Sequence, residues 1–414
     1  MSQTPILYID LAPSPGGSHI SLAYLLRGLD SSKWTPVVVL SRQNPCTIFE
    51  EMGIPVERVR TPQWESQPAA LVDVVRRGKT GNVFRSLPVA STIWHWGGSL
   101  RYWRRDILPV ADALTPIIRQ HRPALVHLNN SVALMRPGII AAWRAHARIL
   151  IHSRSFDPLS FIDRRVLAPR VDGMIFISRA VAQAQLHALK SPPPYRVIPN
   201  AVDPDLFSDL ADRKAVRERL GVAADAPLIG MIGRIIPWKG QSVFVEAFAR
   251  LHQVRPDAVA IIVGEADTPE GDAYRQVVKK RIRELGLEEK ILWLGHRQDI
   301  PEIMAALDLL AHCSVTPEPF GRVIIEGMAA GAPVIASNGG GAAEIVEDGV
   351  NGLLTRPGDA KALAAAMKKL LEDDSLRERL RENGRKTVQA HYTVETHVEA
   401  VSRFYEQVLA SDLG

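Results

Sequence analysis

Short apolar runs alternate with stretches of helical periodicity along the first 200 residues. The apolar runs predict strands at residues 6–10, 37–40, 56–59, 125–128, 149–152, 174–178 and 196–199. Helical patterns lie between several of these runs. Strands that alternate with helices in this way are typical of a parallel, doubly wound sheet.

The second half repeats this alternation after a proline-rich segment at residues 191–200. Strands are predicted at residues 228–233, 259–264, 291–295 and 333–336, with a further buried strand in the apolar stretch 306–313. Charged amphipathic helix is predicted over residues 358–391, and a last helix over about 394–409. A chain of 414 residues is long enough for two ordinary domains. We therefore predict α/β domains at residues 1–202 and 203–392, followed by a final helix within residues 393–414.

Two predicted helices begin at glycine shortly after a predicted strand. Gly321 begins a helix that ends at Gly331, and Gly339, Gly340 and Gly341 begin the next one. Amides at a helix N-terminus have no partner within the helix, and the helix dipole is positive there. Both helix starts therefore favour binding of a phosphate.

Two glutamates flank the first of these helix starts. Glu318 lies just before Gly321, and Glu326 lies inside the helix. Two glutamates eight residues apart also occur by chance on helix surfaces, but the surrounding EPFG and GGG favour a functional interpretation. A phosphate site flanked by acids suggests a phosphorylated ligand whose remaining part is rich in hydroxyls.

Two cations lie on one predicted loop of the second half. Arg234 directly follows Gly233 at the end of its strand, and Lys239 lies just before Gly240, which starts the next helix. A charge pair at contact is worth on the order of 4 kcal/mol at an effective dielectric of about 20. Two cations together with helix amides could therefore hold a diphosphate in place of a metal. Ordinary surface charges are the alternative.

The first half offers a second glycine loop and a strand-end histidine. Gly16 and Gly17 lie between a predicted strand and helix, which is the geometry of an anion or substrate loop, although many tight turns also need glycine. His152 ends its strand, and strand ends face the ligand crevice in open α/β sheets. His127 is a competing candidate.

The net charge of +5 is unevenly distributed. Residues 1–200 hold 24 Lys and Arg against 12 Asp and Glu, a balance of +12, and residues 201–414 hold 26 against 33, a balance of −7. A basic first half suggests a phosphorylated acceptor or a membrane face, or else a solvated surface rich in arginine. No nucleic-acid-binding module is recognisable.

The remaining composition points to a cytoplasmic protein. Cys46 and Cys313 fit no metal spacing and are expected to be reduced thiols. Neither a signal-peptide layout nor an apolar run long enough for a transmembrane helix is found.

Aromatic and basic residues are concentrated within residues 60–105. They are Trp64, Trp94, Trp96, Trp103, Arg101, Arg104 and Arg105. Such a mixture suits an interfacial membrane segment or a wall that stacks on a sugar, and an insertion that covers the sheet edge is the alternative. One prediction is therefore peripheral membrane association through residues 60–120, at the inner face of a membrane.

The stretch EPFGRVIIEGMAAGAPVIASNGGGAAEIVEDGVNGLL, which begins at Glu318, resembles the signature of the family 4 glycosyltransferases. GRIIPWKG around Lys239 resembles their donor-phosphate loop, and RVIPNAVD resembles their crossover between domains. The resemblance implies the GT-B fold, in which two Rossmann-like domains face each other across a cleft. It also implies a retaining enzyme with a nucleotide-sugar donor, and a final helix at residues 393–414 that packs back on the first domain.

The resemblance also implies roles for single residues. Glu318 would hold hydroxyls of the donor sugar, and Glu326 would accept hydrogen bonds from the ribose. The nucleotide base would lie near Glu265 and Arg297, and His152 would lie near the reacting sugar carbon. We assign the other donor contacts to Gly233, Arg234, Lys239, Gly321, Arg322 and Val323, and an acceptor or phosphate loop to Gly16 and Gly17.

The predicted reaction is transfer with retention and without a metal. The enzyme must stabilise the departing diphosphate and protect an oxocarbenium-like sugar. Glu318 precedes its helix and Glu326 lies inside it, so they should contact different parts of the ligand and not act as a close pair through a covalent sugar. No cluster of Asp, His or Cys has metal-ligand spacing, so neither a metal nor another cofactor is expected.

Two other functions share some of these features. A nucleotide-sugar 2-epimerase would need acidic and histidine groups around the sugar and would lack the EPFG signature. A non-catalytic nucleotide-sugar-binding protein could lose Glu318, which is present here. The acceptor is expected to be a glycan, a glycolipid or a lipid-linked saccharide, because the first half is basic and rich in tryptophan.

Overall fold

The computed structural model describes residues 3–62, 101–208 and 210–411. The chain divides into two compact units. Unit 1 contains Met1–Ile175, Ala184–Arg196 and Ser402–Gly414, and unit 2 contains Phe176–Gln183 and Val197–Val401. The boundary predicted at residue 202 lies close to the point where unit 2 takes over at Val197.

Unit 1 is built on a seven-stranded sheet in the order β3-β2-β1-β4-β5-β6-β7. Its strands are β1 (Thr4–Asp10), β2 (Trp34–Ser41), β3 (Val56–Val59), β4 (Leu125–Leu128), β5 (Arg148–Ser153), β6 (Gly173–Phe176) and β7 (Tyr195–Val197). The helices up to residue 186 are α1 (Gly17–Gly28), α2 (Ile48–Glu51), α3 (Leu108–His121), α4 (Arg136–Arg144) and α5 (Arg179–Leu186). Strand β1 pairs in parallel with both β2 and β4, as the alternating pattern predicted.

Unit 2 is built on a six-stranded sheet in the order β10-β9-β8-β11-β12-β13, and all neighbouring pairs are parallel. Its strands are β8 (Leu228–Ile232), β9 (Val259–Val263), β10 (Ile291–Gly295), β11 (Leu309–His312), β12 (Val334–Ser337) and β13 (Leu353–Thr355). The later helices are α6 (Arg213–Arg219), α7 (Gln241–His252), α8 (Pro269–Glu284), α9 (Ile300–Ala306), α10 (Arg322–Ala330), α11 (Ala342–Ile345), α12 (Ala360–Glu372), α13 (Asp374–His391) and α14 (Val394–Ala410).

The helix predicted over residues 358–391 is in fact two helices. The Asp373 carboxylate accepts a hydrogen bond of 2.8 Å from the amide of Leu376 and so caps the start of α13. An aspartate in this role satisfies an amide that the helix itself leaves unpaired, and it ends α12 at the same point. Strand β13 was not predicted, whereas β7, which has the same length, was.

The second half of α14 packs within unit 1. The hydroxyl of Tyr405 lies 2.6 Å from Nδ1 of His127 on β4, and the Tyr405 ring meets the Trp34 ring edge-on at 5.6 Å between centroids. None of the helices in the described ranges combines the length and apolar character needed to cross a bilayer.

Each sheet reverses its strand order beside its first strand. The reversal lies between β1 and β4 in unit 1 and between β8 and β11 in unit 2. Loops that leave the carboxyl ends of two such strands run to opposite sides and open a crevice, where open α/β sheets bind their ligands. Functional side chains are therefore expected at the ends of these four strands.

Candidate functional site

Lys239 and Glu318 form an ion pair at the carboxyl ends of β8 and β11. Lys239 ends a short 3₁₀ turn, Pro237–Lys239, that follows β8, and Glu318 lies in the loop after β11. The Lys239 Nζ lies 2.8 Å from the Glu318 Oε2. These residues are 79 positions apart in sequence, and they meet because β8 and β11 are neighbours in the sheet. The predicted phosphate-binding cation and the predicted sugar-binding acid thus belong to one site.

A glycine holds the Lys239 turn against the end of β11. Gly240 has a φ of 78°, and a Cβ atom at this position would lie 2.1 Å from the carbonyl oxygen of Cys313. Only glycine combines the left-handed conformation with such a close backbone approach. The Lys239 ammonium is thereby held in place, 4.3 Å from the centroid of the Trp238 ring.

Two further side chains contact the same oxygen of Glu318. The His312 Nε2 lies 3.0 Å from Oε2, and the Ser314 hydroxyl donates to Oε2 at 2.8 Å. Burial raises the pKa of Glu318, but the hydrogen bond from His312 and the charge of Lys239 outweigh this effect and hold the pKa well below its usual range. Glu318 is therefore a fixed, ionised acceptor that is only 6% exposed.

His312 and Ser314 were not predicted as functional residues. His312 is the last residue of β11, and Ser314 follows it two positions later. The rule that strand ends face the ligand crevice would have selected both, as it selected His152. The Nδ1 atom of His312 is buried without a hydrogen-bond partner among the described residues.

The GGG segment packs on the loop that carries Glu318. The amide of Gly341 donates to the carbonyl oxygen of Glu318 at 2.7 Å, and Glu318 and Gly340 form a parallel β-bridge. The helix that follows, α11, is only one turn long. The glycines predicted to begin a phosphate-binding helix therefore also allow two backbone segments to lie side by side.

Gly340→Ala is expected to lower the free energy of unfolding by at least about 1–2 kcal/mol. The residue has a φ of 63°, and an added Cβ would lie 2.2 Å from the carbonyl oxygen of Glu318. The midpoint of urea unfolding measures the change. Gly339→Ala is the matched control, since the nearest atom outside the adjoining residues, the Cα of Pro317, would lie 3.6 Å from its Cβ. Equal midpoints for the two variants would contradict this packing.

The first glycine-opened helix, α10, begins as predicted. Gly321 precedes it with a φ of 100°, and the first residues of the helix are Arg322 and Val323. Their amides lie in the first turn, where a helix has no acceptors of its own. The Glu326 carboxylate accepts a hydrogen bond of 2.6 Å from Arg322, one turn earlier on the same helix.

The other predicted donor residues lie on loops at the same edge of the sheet. Gly233 directly follows β8, and Arg234 after it is 59% exposed, with Nη1 3.3 Å from the Asp267 carboxylate. The side chain of Gln241 donates to the carbonyl oxygen of Arg234 at 2.9 Å, which joins this loop to the start of α7. Arg297 follows β10 and pairs with Asp299 at 2.6 Å on its own loop.

A buried polar cluster lies at the corresponding strand ends of unit 1. Asp10 at the end of β1 accepts a hydrogen bond of 2.8 Å from the Asn129 amide, and Asn129 in turn accepts one of 2.8 Å from Arg154. Gly16 and Gly17 begin α1 beside this cluster, where His19 lies 3.8 Å from Asp10. A Cβ at Gly16 would meet no atom within 4 Å, so the loop borders open space.

His152 lies inside this cluster and is fully buried. Its Nδ1 is 3.3 Å from Nη2 of Arg154, and its ring centroid is 5.3 Å from that of His127. The two histidines that competed as candidates are therefore neighbours, on β5 and β4.

Two further predictions concern metals and aromatic residues. Across the described ranges, no group of three or more His, Cys, Asp or Glu side chains could hold a metal ion. Cys46 and Cys313 are both free thiols. Trp64, Trp94 and Trp96 lie outside the described residues, whereas Trp103 begins a π-helical turn, Trp103–Ile107.

Two family profiles match adjoining parts of the chain. The one described as "Glycosyltransferase Family 4" matches residues 15–206, and the one described as "Glycosyl transferases group 1" matches residues 212–387. Together they leave out little more than the two ends of the chain.

The sequence is also similar to that of characterised proteins. A lipopolysaccharide core biosynthesis glycosyltransferase of Rhizobium meliloti, LpsE, is 33% identical over 47% of this chain and 53% of its own length, so the chain spans about half of that relative. A GDP-mannose-dependent mannosyltransferase of Corynebacterium glutamicum, which acts on monoacylated phosphatidylinositol monomannoside, is 26% identical over 74% of this chain and 83% of its own length.

The whole fold recurs in a solved structure. HepE of Anabaena, crystallised with UDP and glucose, superposes with a TM-score of 0.78 at 28% identity, over 97% of this chain and 99% of its own. Its match covers both sheets, as do the two family profiles. The chain belongs to the family 4 glycosyltransferases and has their GT-B fold of two Rossmann-like domains.

Proposed function

We propose that this protein transfers a hexose-type sugar from a nucleotide-diphosphate sugar to a hydroxyl of an acceptor, with retention of configuration. The observation that carries the proposal is the Lys239–Glu318 ion pair beside the N-terminus of α10. It combines a cation and the amides at a helix N-terminus for a diphosphate with an ionised acceptor for sugar hydroxyls. HepE, crystallised with UDP and glucose, and the GDP-mannose-dependent relative support a donor of this class.

The departing diphosphate is stabilised by Lys239, Arg234 and the amides at Gly321, Arg322 and Val323. An ammonium has three donors, so Lys239 can keep its bond to Glu318 and still reach a phosphate oxygen. Such preorganised donors stabilise the charge that develops as the bond to the sugar breaks. The site supplies this stabilisation from side chains and backbone, and we propose that no metal takes part.

The two acids serve different parts of the donor. Glu318, held by Lys239, His312 and Ser314, accepts hydrogen bonds from hydroxyls of the sugar. Glu326, one turn beyond Arg322, accepts those of the ribose, and Gly233 and Arg297 border the nucleotide. Because Glu318 precedes α10 and Glu326 lies within it, they do not act as a pair through a covalent sugar.

Unit 1 supplies the acceptor side. Gly16 and Gly17 form the acceptor loop, and His152 contributes near the reacting carbon. The acceptor is a cell-surface glycan, a glycolipid or a lipid-linked saccharide, as the names of the Rhizobium and Corynebacterium relatives suggest. We further propose a cytoplasmic protein that associates peripherally with the inner face of a membrane through residues 60–120, and that does not bind polymeric nucleic acid.

A panel of UDP-, GDP-, ADP- and TDP-sugars tests the proposal. At least one sugar nucleotide should raise the unfolding temperature in a saturable way and should be consumed only when an acceptor is present. Formation of an epimer of the donor without acceptor would contradict sugar transfer. So would saturable binding without turnover across a broad panel of acceptors.

The reaction is expected to proceed at nearly the same rate in EDTA, because cations and amides of the chain stabilise the leaving diphosphate. The product is expected to have the anomeric configuration of the donor. Proton NMR of the product reports the configuration. A complete loss of activity in EDTA that manganese restores would contradict the metal-free scheme, and an inverted product would contradict retention.

A further inference from the structure

Two π-helical turns of unit 1 have the same arrangement of charged residues. They are Trp103–Ile107 and Asp163–Leu167. Each presents two consecutive exposed arginines, Arg104 with Arg105 and Arg164 with Arg165. Each also buries its single carboxylate, at Asp106 and Asp163.

A buried arginine places the two turns next to each other. The Arg136 guanidinium makes two hydrogen bonds of 2.7 Å to the Asp163 carboxylate, and its Nη1 lies 3.4 Å from the Tyr102 hydroxyl. Tyr102 directly precedes the first turn, and Asp163 begins the second. The starts of the two turns are therefore neighbours in unit 1, and the arginines of both turns are exposed.

The surface is strongly cationic because its acids are neutralised from within. Residues 101–107 and 160–167 together with Arg136 contain six arginines and two aspartates, a balance of +4. Arg136 neutralises Asp163, and Arg105 contacts Asp106 at 2.9 Å while its own side chain stays 76% exposed. We call this surface the arginine face and define it by Arg101, Arg104, Arg105, Phe161, Arg164 and Arg165.

An exposed aromatic ring lies among these cations. The Phe161 side chain is 65% exposed, and the guanidinium carbon of Arg165 lies 6.0 Å from its ring centroid. Val166, which follows Arg165, is also exposed. One exposed aromatic ring with Val166 beside it in the chain offers too little apolar area for a stable protein interface. It does match the boundary between lipid headgroups and acyl chains.

We propose that the arginine face docks on a bilayer that contains anionic phospholipids, with Phe161 inserted at the level of the headgroups. Anionic lipids give the membrane surface a negative potential that attracts clustered arginines within about one Debye length. This inference rests on the membrane association included in the proposed function and assigns it to described residues, several of them outside residues 60–120. It does not depend on sugar transfer.

Co-sedimentation of the full chain with vesicles tests the proposal. The wild type should bind vesicles of phosphatidylcholine mixed with phosphatidylglycerol, should ignore vesicles of phosphatidylcholine alone, and should dissociate as salt is raised. Arg164→Glu combined with Arg165→Glu should lower the partition coefficient roughly tenfold or more. Phe161→Ser should lower the partition coefficient severalfold. The binding that remains should be more sensitive to salt than that of the wild type.

The matched control is Lys280→Glu combined with Arg379→Glu. Both side chains are exposed in unit 2, so this variant changes the net charge by the same amount at a different place. It should bind vesicles within about twofold of the wild type. Unfolding temperatures of all variants establish that they are folded.

Three outcomes would overturn the proposal. The first is that the folded wild type does not bind anionic vesicles. The second is that the control variant and the arginine-face variant lose vesicle binding equally. The third is that Phe161→Ser changes neither the binding to vesicles nor the binding to heparin. The last outcome would indicate a surface for soluble polyanions. A chain that binds anionic vesicles through this face and turns over no sugar nucleotide would support the docking surface and refute the proposed reaction, so the two failures are distinguishable.

Discussion

Lys239→Ala is expected to lower the rate of sugar transfer on the order of 10²–10³-fold, the usual cost of removing one preorganised donor at developing charge. The Lys239 side chain is 19% exposed and its ammonium is fixed between Trp238 and Glu318, so no water can replace it with the same charge and position. The free nucleotide diphosphate should bind at least about tenfold more weakly, because the lost contact is to phosphate. Steady-state kinetics and calorimetric titration with UDP or GDP measure the two changes.

Lys368→Ala is the matched control for this lysine. Lys368 forms an exposed ion pair with Glu372 one turn away on α12, and such surface pairs contribute little to stability. The control should retain transfer and nucleotide binding within about twofold. Near-normal turnover in Lys239→Ala would show that the diphosphate is bound elsewhere on the chain.

Glu318→Gln is expected to lower kcat/KM for sugar transfer by roughly tenfold to a hundredfold, the cost of exchanging a charged acceptor for a neutral one. Binding of the nucleotide without its sugar should change by less than about threefold, because Glu318 is assigned to the sugar hydroxyls. The side-chain NH₂ group of the new glutamine would also face His312 and Ser314. Both of these residues donate hydrogen bonds to the carboxylate in the wild type. Titration with the nucleotide and with the nucleotide sugar separates the two contributions.

The acid dependence of stability gives an independent check on Glu318. A carboxylate whose pKa is lowered by folding stabilises the protein fully above its ordinary pKa, here 4.5, and this contribution fades as the pH falls toward the lowered value. The difference in unfolding free energy between the wild type and Glu318→Gln should therefore shrink only below about pH 4.5. Glu372→Gln on the exposed surface is the control.

Equal loss of nucleotide binding and of nucleotide-sugar binding in Glu318→Gln would contradict the proposed role of Glu318 at the sugar.

Most of the fold could be predicted from the sequence because its strands are short, apolar and separated by helical periods. Residues 56–59, 125–128 and 291–295 were predicted as strands with the bounds that the structure has. Strand β13 was missed, and a second error occurs where a single side chain interrupts a helical pattern. The carboxylate of Asp373 divides a long amphipathic stretch into α12 and α13, and no periodicity marks that position.

The candidate site was predictable in part. Gly321, Arg322 and Val323 begin α10 as expected, because a helix start after a strand is a local property of the chain. His312 and Ser314 were missed, although His312 ends β11 and Ser314 lies two positions later, where the strand-end rule would have selected both. Burial raises the pKa of Glu318, but the hydrogen bond from His312 and the charge of Lys239 outweigh this effect and explain why its carboxylate is ionised.

The sequence by itself determined the two α/β halves and the glycine-opened start of α10. It also determined that Glu318 precedes this helix start and that Glu326 follows it. These features depend only on residues that are close together in the chain. Only the tertiary structure decided that Lys239 reaches Glu318 and that Arg136 joins two arginine-bearing turns. Residues 79 positions apart meet because β8 pairs with β11. Strand order depends on how whole helices and strands pack together, and no local pattern of residues encodes it.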